Sequence, residues 1–194
     1  MMINKIKKIV LSIIFLFGSS VALSANERSV SFSPYVDDNG AIILPAYFRS
    51  TWVHLGTWVV TSTAAAGLDL GQSSPGTGVH NVYTQPESLK DYKNNRRWRD
   101  GAVLIMEIRS LAWDDLPTGH VIVEGEPVKW LVMVKDAKGR FPGSPNWGDG
   151  WGWAFFKSTT PKINSSTNYK EDCLGCHEAA KASDLVFIQG YQEK

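Results

Sequence analysis

The chain has 194 residues and a formal net charge of +1, because its 20 Lys and Arg nearly match its 19 Asp and Glu. This balance excludes a strongly basic protein that binds nucleic acid through the phosphate backbone. The densest basic stretch, from Lys90 to Arg99, is interleaved with acidic residues, and we interpret it as a solvated surface. The length predicts about one domain.

The N-terminal region has the pattern of a secretory signal. A positively charged start, Lys5 to Lys8, precedes an apolar run over residues 9–17, and small residues follow near Ala22. The run is shorter than a bilayer-spanning helix requires, so an uncleaved anchor is the weaker alternative. We therefore predict a signal peptide over residues 1–25 and a single periplasmic domain over residues 26–194, without membrane attachment after cleavage.

Short apolar segments separated by turn signals predict most of the remaining elements. In chain order they are a short helix within 47–52, a strand at 53–60, a loop at 61–77, a strand at 79–84, a helix from Pro86 to about Asn94, strands at 102–109, 121–124 and 127–135, a loop rich in Gly, Pro and Trp at 136–152, a strand at 153–157 and a helix from 173 to about 181. Because βαβ alternation is scarce, we expect an α+β fold, mainly antiparallel β-sheet with a few short helices.

The two cysteines of the chain are followed directly by a histidine, so Cys173 to His177 reads C-L-G-C-H. This is the attachment signature for c-type haem. Two thiols at this spacing add to the two vinyl groups on one edge of the porphyrin, and the adjacent imidazole then reaches the iron. We predict one covalent haem c per chain, attached to Cys173 and Cys176, with His177 as the iron ligand on a C-terminal helix.

The cysteine pair has three other possible roles. A lone pair in an exported protein could form a disulfide. A redox C-x-x-C of thioredoxin type would follow a strand within a βαβ unit, but polar residues over 164–169 precede Cys173. A zinc site would need a second pair of ligands, and neither another C-x-x-C nor an H-x-x-x-H segment is present. Haem attachment is the favoured interpretation.

Five segments, together with the haem motif, resemble the cytochrome P-460 and cytochrome c′-beta family. They occur in the same order along nearly all of the expected mature chain. They are Trp52 to Thr57 (W-x-x-x-G-T), Val82 to Ser88 (V-Y-x-x-P-x-S), Arg99 to Val103 (R-D-G-T-V, with Ala102 in place of Thr), Trp153 to Phe156 (W-A-F-Y, with Phe in place of Tyr) and Val186 to Gln189 (V-F-x-Q).

The resemblance implies an antiparallel sheet, a homodimer and a five-coordinate haem held by a proximal histidine, here His177. In the cytochrome P-460 branch a lysine cross-links to the porphyrin, and a distal glutamate serves hydroxylamine oxidation. Those positions fall on Met106 and Leu131 in this chain. A thioether cannot form the amine bond and a leucine cannot relay a proton, so hydroxylamine oxidation is not expected, although an enzymatic role stays open.

If Met106, Leu131 and Met133 line the distal side, the open iron position faces an apolar cavity. Small uncharged diatomic molecules enter such a cavity with little loss of hydration, unlike polar substrates, so we expect binding of nitric oxide or carbon monoxide. One alternative is a six-coordinate electron-transfer cytochrome with Met106 or Met133 as sixth ligand and a redox partner protein. Another is an oxidising enzyme that uses Glu124 or Glu126, on a turn folded over the pocket.

The remaining candidates have simpler interpretations. His54, His80 and His120 are predicted to be surface or capping residues rather than sixth ligands. Glu107 is adjacent to Met106 on a strand, so we expect it on the opposite face of the sheet.

A tryptophan cluster, Trp147, Trp151 and Trp153, lies among glycines in and after the long loop at 136–152. The simpler interpretation is a packed lid over the domain or a contact in the dimer. The alternative is an edge near the haem through which electrons pass.

Overall fold

Six strands form one sheet in the order β1-β2-β3-β4-β6-β5, and every neighbouring pair is antiparallel. The computed structural model describes residues 32–61 and 77–191, so the predicted signal peptide and most of the predicted loop at 61–77 lie outside the described residues. The strands are β1 (Val53–Val60), β2 (Gly78–Thr84), β3 (Val103–Leu116), β4 (Gly119–Lys135), β5 (Trp147–Gly148) and β6 (Trp151–Lys157).

Short helices flank the sheet, as expected for an α+β fold. They are α1 (Phe48–Thr51), α2 (Pro86–Asn95) and a C-terminal helical segment over 170–183. Pro86 opens α2 at a position where its missing N–H costs nothing. None of the helices in the described ranges is long and apolar enough to cross a membrane. The predicted fold class is confirmed.

The hairpin of β3 and β4 is longer and more continuous than the sequence predicted. Two strands at 121–124 and 127–135 were expected, but Gly119–Lys135 is one strand. Pro127 lies opposite Arg109, where the register shifts. A proline is tolerated at such a bulge because the bulge already interrupts the ladder of backbone hydrogen bonds. The Arg109 side chain also donates from Nε to the Gly125 carbonyl at 2.9 Å, which holds the two strands together there.

Alternation along the strands gives the sheet two different buried faces. The first face packs against α2 and the chain that follows the C-terminal helical segment, and its buried residues include Val82, Leu104, Met133 and Trp153. The second packs against α1, and its buried residues include Tyr83, Val103, Ile105, Val132 and Phe156. We call them the first face and the second face below.

A charged turn fixes the start of β3. Gly101 adopts φ +78°, which a residue with a side chain rarely tolerates, and Asp100 accepts the backbone N–H of Ala137 at 2.9 Å. Arg140 donates from Nη1 to Asp100 at 3.0 Å and pairs with Asp136 as well. The hydrogen bond from Arg140 holds the pKa of Asp100 below its ordinary value of 3.8.

Replacing Asp100 with asparagine should lower the free energy of unfolding by about 1 kcal/mol at neutral pH, because water partly screens the Asp100–Arg140 pair. The folded-state pKa lies below the unfolded one, so the pair contributes its full stability above the unfolded pKa and loses it as the pH falls through the folded pKa. Urea unfolding at neutral and stepwise lower pH should therefore show wild type and variant converging in acid. A constant difference would contradict the assignment, and Asp38→Asn, at an exposed turn, is the control.

Candidate functional site

The segment that carries C-x-x-C-H is helical but not one regular helix. A single helix from 173 to 181 was predicted, whereas the structure has a π-helical turn at Lys170–Leu174, an α-turn at Gly175–His177 and a 3₁₀ turn at Glu178–Ser183. The Asp172 carboxylate accepts the backbone N–H of Thr167 at 2.8 Å and of Asn168 at 3.1 Å, and this anchors the start of the segment. These hydrogen bonds lower the pKa of Asp172, so it stays ionised.

The imidazole of His177 is held by a backbone carbonyl eight residues further along the chain. His177 Nδ1–H donates to the Leu185 carbonyl at 2.7 Å, so in the neutral ring Nε2 carries the free lone pair that a metal ion requires. Burial lowers the pKa of His177, against the opposing effect of this hydrogen bond, and therefore favours the neutral form. The residue is thus prepared as an Nε2 ligand.

Two aromatic rings fix the plane of this imidazole. Trp153 contacts it edge-on, with ring centroids 5.0 Å apart and planes 75° apart, and Phe187 lies 5.6 Å away on another side. Trp153 is a fully buried residue of β6 on the first face of the sheet. The histidine therefore sits on the first face, over its β6 side.

A reverse turn brings the Leu185 carbonyl to His177. Asp184 and Leu185 have φ +59° and +63°, a left-handed conformation that is costly for residues with side chains and persists only where neighbours enforce it. Lys135 pairs with the Asp184 carboxylate at 2.8 Å, and Trp151 Nε1–H donates to the Asp184 carbonyl at 3.0 Å. The ends of β4 and β6 thus impose the turn that orients the imidazole.

The two cysteines are free thiols in this segment, Cys173 partly buried and Cys176 exposed. Burial raises the pKa of the Cys173 thiol to about 11. A redox C-x-x-C pair uses a thiolate with a lowered pKa, so the raised pKa of the Cys173 thiol does not favour that alternative. Two free thiols one helical turn apart do fit attachment to the two vinyl groups of a porphyrin edge.

The predicted distal residues lie together on the first face. Met106 pairs with Leu131 across β3 and β4, and Leu131 pairs with Phe155 of β6, so these three side chains form one rung. All three are only partly buried, whereas Val82, Leu104 and Trp153 on the same face are buried. Met133, two residues beyond Leu131, is buried on the same face. The positions aligned with the family lysine and glutamate are therefore cross-strand neighbours.

His80 is the residue that sequence reasoning placed wrongly. It was expected to be a surface or capping residue, but it is a buried residue of β2, 7% exposed, with its ring 6.0 Å from that of Trp58. It shares the first face with Val82, one rung from Met106. The only available signal was its position within a short segment rich in β-branched residues, and β-propensity alone does not predict whether a residue is buried.

Glu107 and Glu124, two of the carboxylates considered as proton acceptors, lie on the second face, and the third, Glu126, is exposed on β4. Glu107 lies on the second face as its adjacency to Met106 predicted, and it is 2% exposed and pairs with Arg49 and Arg109. Glu124 lies within β4 rather than on a turn, and it accepts hydrogen bonds from Asn81 and from Arg49. Burial alone would raise the pKa of Glu124, but these bonds outweigh it and lower the pKa. The predicted turn that would fold Glu124 over the pocket is absent, because 119–135 is one strand.

These residues fit a haem c group, with two free thiols, a neutral imidazole held by its Nδ1, and a partly open apolar rung on the same sheet face. Fold and site together define a haem-binding cytochrome with a β-rich body. The chain belongs to the Cytochrome P460 family, whose family model matches residues 45–188. The resemblance drawn from the sequence is thereby confirmed. A comparison with curated proteins gave no match.

Replacing both Cys173 and Cys176 with serine should abolish covalent haem attachment, because serine hydroxyls do not add to the porphyrin vinyl groups. The measurement is haem staining after denaturing electrophoresis of protein produced in a host that matures c-type cytochromes. Each single variant should keep one bond and stain more weakly than wild type. Staining of the double variant equal to wild type would contradict the assignment of both thiols.

Proposed function

We propose that this chain is an exported mono-haem c-type cytochrome that binds small diatomic molecules such as nitric oxide or carbon monoxide. Cys173 and Cys176 hold one haem c, and His177 Nε2 is the proximal iron ligand. When bound, the haem supplies an iron with one open coordination position. The lysine-rich start and the apolar run of residues 9–17 support export to the periplasm, where c-type haem is attached.

The observation that carries this proposal is the chemistry of the rung formed by Met106, Leu131 and Phe155. An uncharged diatomic molecule loses little hydration on reaching an apolar surface, whereas hydroxylamine would lose hydrogen bonds that these side chains cannot replace. The nearby carboxylates, Glu107 and Glu124, are bound to arginines on the second face of the sheet. Ligand binding is therefore favoured over proton-coupled oxidation.

A second candidate is a six-coordinate electron-transfer cytochrome that serves a redox partner protein. The burial of His80 on the first face favours this second candidate. Imidazole is a common haem ligand, and His80 lies one rung from Met106. Met106 itself could ligate through its thioether. We prefer the five-coordinate state because Trp58 and the strand already pack His80, and because methionine on an apolar face usually serves packing.

The optical spectrum of the ferrous protein distinguishes the two candidates. We expect a broad high-spin spectrum that changes on adding carbon monoxide, because the position opposite His177 is open. The variants Met106→Leu and His80→Leu should give the same spectrum as wild type, since neither side chain is a ligand.

A sharp, split alpha band in wild type would overturn the five-coordinate proposal. Conversion of that band to a high-spin spectrum in only one of the two variants would then identify the sixth ligand. A strongly red-shifted Soret band in wild type would indicate a cross-link to the porphyrin. Since Met106 cannot form that bond, this result would contradict its alignment with the cross-linking lysine.

We also propose that the protein forms a homodimer through the outer part of the β3–β4 hairpin. Trp113 pairs with Ile122 across the hairpin, and they are 64% and 37% exposed. Leu116 at the hairpin end is 46% exposed. Trp113 and Ile122 share one face of this ribbon and Leu116 lies on the other; exposed large apolar side chains are typical of a protein interface, and aromatic residues are enriched there.

Replacing Trp113 with serine should shift the protein from dimer towards monomer, because it removes the largest apolar side chain of the proposed interface. The measurement is size-exclusion chromatography with light scattering over a range of protein concentrations. Val59→Ser is the matched control, since Val59 is 50% exposed on the edge strand β1, outside the β3–β4 hairpin, and its replacement should leave the mass unchanged. A monomeric wild type, or a Trp113 variant with unchanged mass, would contradict the proposal.

A further inference from the structure

A chain of aromatic rings leads from His177 to the protein surface. Trp153 contacts His177 with ring centroids 5.0 Å apart, and Trp153 in turn stacks on Tyr169, with centroids 6.0 Å apart and planes only 12° apart. Trp153 and Tyr169 are 1% and 6% exposed, so the path is buried up to the phenol. Successive contacts of this length are within the range of ordinary aromatic pairs.

The phenol at the end of this chain has a carboxylate as its hydrogen-bond acceptor. Tyr169 Oη–H donates to Asp149 Oδ2 at 2.9 Å, and Asp149 is exposed to solvent. Space for the phenol depends on Gly148, because a Cβ there would lie 2.2 Å from the Tyr169 oxygen. Burial and the bond to Asp149 raise the pKa of Tyr169, so the phenol is neutral before it reacts.

We propose that Trp153 and Tyr169 form a relay that carries oxidising equivalents from the haem to the surface, with Asp149 accepting the phenolic proton. This proposal rests on the proposed function, because the oxidant, hydrogen peroxide, would need the open iron position, and an excess of peroxide offsets the hydration that it loses at the apolar rung. The tryptophan cluster singled out in the sequence thereby acquires a redox role through Trp153. Its two companions are structural, since Trp147 donates to the Gly40 carbonyl and Trp151 anchors Asp184.

The redox step balances as follows. Tyr169 loses one electron through Trp153 and one proton to the Asp149 carboxylate, which leaves a neutral tyrosyl radical and a neutral carboxyl group. The exposed Asp149 then returns its proton to water. Peroxide is the electron acceptor: its O–O bond breaks, and it takes up two electrons and two protons to become two water molecules. One peroxide therefore accounts for two such oxidations of Tyr169, with a one-electron donor at the surface reducing the tyrosyl radical between them.

The test is electron paramagnetic resonance of the ferric holoprotein, frozen shortly after mixing with hydrogen peroxide. We expect a tyrosyl radical signal in wild type and its loss in Tyr169→Phe, which keeps the ring but removes the hydroxyl. Asp149→Asn should reduce the signal, because the amide preserves a hydrogen bond but does not accept the proton. Tyr47→Phe is the control, since Tyr47 is 82% exposed, and its signal should equal that of wild type.

The outcomes separate this proposal from the proposed function. If peroxide changes the haem absorbance and Tyr169→Phe keeps the full tyrosyl signal, the relay is overturned while the open iron position stands. An undiminished signal in Asp149→Asn overturns the role of the carboxylate. If peroxide leaves the haem absorbance of wild type unchanged, the open position fails, and the relay fails with it.

Discussion

The hydrogen bond from His177 Nδ1 to the Leu185 carbonyl is the constraint on which the site depends. It selects the tautomer with a free Nε2 and fixes the direction in which that nitrogen points. The bond exists only because Asp184 and Leu185 adopt left-handed backbone, which Lys135 and Trp151 enforce from the ends of β4 and β6. A short sequence motif supplies the chemical groups, and the sheet supplies their orientation.

The register of the sheet is fixed by charge as well as by apolar packing. Met106 and Glu107 are neighbours on β3 that point to opposite faces, so a slip of one residue would exchange them. Glu107 is almost fully buried, and a buried carboxylate is costly unless it is paired, as it is here with Arg49 and Arg109. These ion pairs keep Glu107 on the second face, and the register that they fix keeps the apolar side chain of Met106 on the first face.

Local sequence patterns predicted much of the fold, and the features that they did not predict depend on non-local contacts. The alternation in β2 and β3 and the proline that opens α2 are local, and those elements were predicted within a few residues, except for the outer half of β3. The continuity of β4 through Gly125 and Pro127 depends on a bulge and on Arg109, which no periodicity shows. The burial of His80 likewise comes from neighbouring strands.

The two sides of the proposed haem site are linked through the sheet itself. His177 rests on Trp153, Trp153 pairs with Met133, and Met133 pairs with Leu104, which precedes Met106 by one rung. Adjacent strands are spaced by about 5 Å, so the imidazole and the apolar rung lie over strands only about 10 Å apart. For the proposed function, ligand choice depends on which side chains of β3 and β4 lie on the first face, and the paired charges on the second face maintain that arrangement through the register.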